Sequence, residues 1–129
     1  MNKILALIMA LSISSAVYAH DVGTYVPNMT ANTDEQVNVR SQHHARLINN
    51  TNNKQKYHVR LTLCAQSKGC SQEYNVDVFI PAHSERTVRQ TMEYSFFYTR
   101  SGKYAMTGTT EVTGDGGQVK GYTGYVTVR

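Results

Sequence analysis

Histidine and cysteine are the residues of this 129-residue chain with the widest chemical reach: five of the first and two of the second. His20 is the most specific candidate. If a leader ends at Ala19, His20 becomes a first residue whose free amine and imidazole can hold one copper ion. A second imidazole would complete a T-shaped nitrogen site, and His43, His58 and His83 are the candidates for it. His43 and His44 are neighbours, so on a strand they point to opposite faces and cannot share an ion. Both read as surface histidines; His58 falls on the polar phase of a strand and His83 in the turn Pro81-Ala82-His83-Ser84-Glu85.

Cys64 and Cys70 flank Ala65-Gln66-Ser67-Lys68-Gly69, with Ser67, Lys68 and Gly69 as turn residues between two alternating apolar runs. Cysteines at the two ends of a hairpin tip can reach bridging distance. A seven-residue loop closed in this way contributes roughly 2 kcal/mol, so the expected disulfide is a local clasp. The spacing is not Cys-x-x-Cys, and two thiols are too few for a thiolate zinc site.

Catalytic apparatus is not visible. The carboxylates Asp21, Asp34, Asp77, Asp115, Glu73, Glu85, Glu93 and Glu111 are dispersed. No serine lies in a nucleophile elbow, and Gly114-Asp115-Gly116-Gly117 joins two strands instead of opening a helix onto a phosphate. The balance is against an enzyme, although a triad assembled in space leaves no such trace. In His20 alone the chain resembles exported copper-binding sandwiches such as lytic polysaccharide monooxygenases and small copper carriers. The Met-rich or His-rich segments that would strengthen this are missing.

The elements that must carry these residues begin after a leader. Met1 to Ala19 has the pattern of a cleavable signal peptide: Lys3, the apolar run Ile4 to Leu11, then Val17-Tyr18-Ala19. The run is about half of the ~20 apolar residues a bilayer span requires. The expected organisation is therefore a signal peptide over 1–19 and one folded domain over 20–129, exported to the periplasm or secreted, with a disulfide-permissive surrounding. The formal charge of +4 falls to +3 once Lys3 is removed, too modest to imply nucleic acid.

Within the domain every strong signal is a strand. Tyr57, Val59, Leu61 and Leu63 alternate with His58, Arg60 and Thr62, and Tyr74, Val76, Val78 and Ile80 alternate with Asn75, Asp77 and Phe79. Val37, Val39, Ala45 and Leu47 suggest one long strand with a break or bulge near Ser41-Gln42. Val88, Met92, Tyr94, Phe96 and Tyr98 hold one phase; Tyr104, Met106 and Val112, then Tyr122, Val126 and Val128, follow. With a weak strand near Thr24 to Asn28, this makes about seven strands, and the fold expected is an all-β, antiparallel, immunoglobulin-like β-sandwich.

Phe79, Phe97 and Tyr125 lie on the phases opposite these apolar stripes and, if they share one face, form an aromatic patch for a partner or glycan. Arg40, Arg46, Lys56, Arg60, Arg86, Arg89 and Arg100 supply the basic surplus. The leading reading is a small exported, non-enzymatic binding or envelope-accessory module that meets a protein or cell-surface partner through a sheet face or edge strand. The alternative is a copper carrier or oxidase centred on His20.

Overall fold

The computed structural model describes residues 20–114 and 117–129; the leader and the Asp115-Gly116 part of the Gly114–Gly117 turn lie outside the described residues. Those residues form nine strands and no helix. They are β1 (Asp21–Tyr25), β2 (Met29–Ala31), β3 (Val37–Asn49), β4 (Gln55–Ala65), β5 (Gly69–Cys70), β6 (Tyr74–Ile80), β7 (Ser84–Phe96), β8 (Gly102–Thr113) and β9 (Gln118–Val128). Seven of them have five or more residues, and β2 and β5 are short additions.

Two sheets result. One has the order β1-β3-β7; the other runs β2-β9-β8-β4-β5, with β6 also pairing to β4. All pairs are antiparallel except β2 with β9, which is parallel. The inward phases of both sheets share one core. Nine of its residues are valines, joined by Leu47, Leu61, Leu63, Ile80, Met106 and the fully buried Tyr57. Each such side chain removed from water stabilises the fold by about 1.5–3 kcal/mol. Tyr57 is admissible there because its hydroxyl donates to the Ile48 carbonyl at 3.2 Å.

The expected break in the long third strand is absent. β3 pairs with β7 without interruption from Val37↔Phe96 to Asn49↔Ser84. Ser41 and His43 occupy the inward phase between Val39 and Ala45, so the stripe turns polar while the strand continues. His43 is therefore not the surface histidine expected from the sequence. Ser41 Oγ lies 2.7 Å from His43 Nε2, His43 Nδ1 lies 2.9 Å from Thr110 Oγ1, and Thr24 Oγ1 lies 2.7 Å from Thr110 Oγ1. Thr110 donates to the Gly23 carbonyl at 3.1 Å. One assignment satisfies the set: Ser41 donates to Nε2, and Nδ1–H donates to Thr110.

The two sheets are joined differently along their two sides. On one side the chain crosses between sheets at Val26–Asn28, and the Asn28 Oδ1 accepts the Tyr125 N–H at 2.9 Å. Thr24 and Val26 press onto Gly108, where an added Cβ would lie 2.8 and 2.9 Å from their methyls. On the other side, among the described residues, β6 and β7 each pair with only one strand, leaving two free edges. The far half of β7 is closed by aromatic contacts to the β4–β5 tip. Tyr94 and Tyr98 donate their hydroxyls to the Lys68 and Gln66 carbonyls, at 2.7 and 2.6 Å.

Candidate functional site

The four histidines proposed as a nitrogen set are held in separate places. His20 is buried against the edge of the Tyr57 ring, and its Nδ1 accepts the Ile48 N–H at 3.2 Å. His43 faces the core about four residues farther along the same sheet, ~13 Å at the rise of a strand. His58 lies on the outer face of the six-stranded sheet, between Asp77 at 2.7 Å and Asn75 at 2.8 Å. His83 sits in its turn, with Nε2 2.7 Å from Asn52 Oδ1. Among the described residues no group of three or more His, Cys, Asp or Glu side chains could hold a metal ion.

Ser41 and His43 have the spacing of a hydroxyl and its base. Ser41 is 0% and His43 3% exposed, so no substrate reaches them, and Thr110 instead of a carboxylate stands behind the ring. Desolvation lowers the His43 pKa to about 4, which keeps the ring neutral. This is a satisfied polar core. Cys64 and Cys70 are bonded to each other as β4–β5 register partners, Cα atoms 3.9 Å apart.

The aromatic trio is exposed, at 51% for Phe79, 49% for Phe97 and 39% for Tyr125, but the expected single patch does not form. Phe79 stands on β6 level with Lys56, whereas Tyr125 on β9 is level with Ala105, beside the far end of β4. β4 and β8 lie between their strands, and about ten residues of β4 separate them lengthwise, roughly 33 Å. Phe97 belongs to neither position, since it follows β7 of the other sheet. Each ring instead carries a lysine: Lys54, Lys68 and Lys103 sit 5.5, 5.3 and 4.5 Å from the respective centroids. Alternation told which phase each ring took; only the strand order told that they diverge.

The outer face of the six-stranded sheet is occupied with itself. Arg60 reaches Glu73 at 2.7 Å and Glu111 at 2.9 Å across three strands, and His58 holds Asp77. Those hydrogen bonds raise the Arg60 and His58 pKa values and lower those of Glu73 and Asp77.

The seam between β6 and β7 is different. Here Tyr74, Val76, Val78, Arg86 and Val88 line a groove of about 460 Å³ together with Asp77 and Phe79. Val76 and Val88 are only half-buried although both point along the core phase. Arg86 is exposed on that same phase and makes no ion pair among the described residues. The groove runs beside the free edge of β7, whose outward N–H and C=O groups have no strand partner among the described residues. The sequence held one signal for it. Arg86 has the parity of Val88 and Met92, and a cation on a core phase marks a stretch with nothing over it.

No family model matches the chain, and no curated protein matches it. Among solved structures it is similar to the ASH/PapD-like domain 7 of human CEP192, at 11% identity and a TM-score of 0.37, over 84% of each chain. It is also similar to the sporulation control protein Spo0M of Bacillus subtilis, at 16% identity and a TM-score of 0.37. That match covers 86% of this chain and 49% of the other. Likenesses of this size bear on neither activity nor partner.

Proposed function

We propose that this protein is an exported, immunoglobulin-like, non-enzymatic binding module that takes an extended polypeptide segment along the free edge of β7. The observation that carries the reading is the seam itself: an unpaired strand edge running beside a half-exposed apolar groove with Arg86 in it. An added strand would satisfy the edge by main-chain hydrogen bonds and place alternate side chains against Val76 and Val88. An acidic residue in the segment would meet Arg86, so the expected ligand alternates apolar and acidic positions. A second copy of the chain is a poorer occupant. Antiparallel pairing of two β7 edges with Val88 opposite Val88 would set Arg89 of each copy diagonal to Arg89 of the other, like charges on one face. The leader-like Met1 to Ala19 and the Cys64–Cys70 disulfide support export to the periplasm or beyond.

Selection of peptides from a random library on the full-length protein tests this. Selected peptides should alternate apolar and acidic residues and slow amide exchange over Ser84–Gln90. Val88→Asp should abolish their binding, and Val119→Asp on β9 should leave it intact. Peptides that protect another strand, or bind the Val88→Asp protein equally, would overturn the proposal.

A further inference from the structure

The outer face of the three-stranded sheet carries a second concavity, of about 640 Å³, floored by Gly23 and walled by Tyr25, Gln42, His44, Arg89 and Thr91. Register explains why they converge. Gly23, His44 and Arg89 form one row across β1, β3 and β7, and Tyr25, Gln42 and Thr91 the next. The charged side chains on either side are already paired: Arg46 forks diagonally onto Glu85 of the row beyond with two 2.9 Å bonds, and Arg40 lies 3.9 Å from its register partner Glu93. Farther along, Ser95 donates to Asn38 at 2.6 Å. In the two middle rows, the side chains of Gln42, Arg89 and Thr91 have no hydrogen-bond or ion-pair partner among the described residues. Gly23 makes the notch. A Cβ there would lie 2.4 Å from His44 Cε1, so any side chain at this position would displace the imidazole from its place against β1.

We infer that this cleft binds an acidic sugar residue of the hexuronate type, independently of the β7 seam. A volume of this order suits a single ring ligand, held by a few placed polar groups. Arg89 supplies a two-pronged donor for a carboxylate. Gln42, Thr91 and His44 offer hydrogen-bonding groups for ring hydroxyls. The exposed Tyr25 ring, braced by Tyr122 at 5.5 Å, gives a flat wall. The charge count fits one negative group and not two. Among the described residues Arg89 is the one fixed cation lining the cleft, and the Asp21 carboxylate, 3.9 Å from His44 Nε2, adds negative charge that opposes a dianion such as phosphate more than a monoanion.

Titration of isotope-labelled full-length protein with sodium glucuronate, glucose, sodium acetate and a uronate oligomer, followed by amide shifts, tests the assignment. Glucuronate should shift Gly23, His44 and Arg89 resonances, with glucose and acetate at least about tenfold weaker, since each lacks half of the contacts. Tighter binding of the oligomer identifies a polysaccharide as the source; equal binding per residue identifies the free sugar. Arg89→Gln should weaken glucuronate about tenfold or more. Gly23→Ala should do so by displacing His44, with the melting temperature of the Arg89→Gln protein unchanged. Equal binding of acetate and glucuronate, equal binding of glucose, or indifference to both substitutions would overturn the inference.

Discussion

At the scale of single residues, His43 decides the most. Its folded pKa of about 4 lies below the ordinary 6.5 because burial removes water from the imidazolium. Between those values the unfolded chain binds a proton that the folded chain refuses. Stability is therefore full above about pH 6.5 and falls as the pH drops toward 4, by up to roughly 3 kcal/mol. His58 acts in the opposite sense, since its bonds to Asp77 and Asn75 raise its pKa. Its contribution is present at low pH and fades as the pH rises through its folded value. Urea melts at several pH values should show His43→Gln less stable at neutrality but with a flatter pH dependence; parallel curves would contradict the assignment. Thr110→Val removes the acceptor for Nδ1–H and the partner of Thr24, and should cost about 1–3 kcal/mol in the same melts.

At the scale of elements, the β4–β5 clasp and the β3 strand show what alternation reveals and what it hides. The disulfide was readable because six residues of separation with a turn-forming middle leave few other pairings. Replacing both cysteines by alanine should cost about 2 kcal/mol in a denaturant melt, and reductant should then have no further effect. The tip should keep its place in the variant, because Tyr94 and Tyr98 still hold the Lys68 and Gln66 carbonyls. The continuity of β3 was hidden. Ser41 and His43 are polar on an inward phase, and such positions read as a break until their partners Thr110 and Thr24, from distant parts of the chain, are seen beside them.

At the scale of the whole molecule, the two sides differ in how the sheets are closed. The closed side depends on close backbone approach where β1 gives way to β2. A Cβ at Gly124 would lie 2.7 and 2.8 Å from the Val26 and Pro27 carbonyl oxygens, which are backbone and cannot swing aside. Gly124→Ala should therefore destabilise by about 1–3 kcal/mol, measured by thermal or urea unfolding, with the β2–β9 amides exchanging first. The open side is left to β6 and β7, whose unpaired edges and half-covered valines are what a partner segment would meet. From the sequence alone came the all-β class, the positions of the long strands, the hairpin clasp and the phase of nearly every side chain. These are properties of neighbours in the chain, set by a period of two and by turn chemistry. Which strands share a sheet, which edges stay free, which polar side chains satisfy one another, and which exposed rings stand together were decided only by tertiary structure. Those depend on contacts between residues far apart in the chain, and alternation carries no record of which strand lies alongside which.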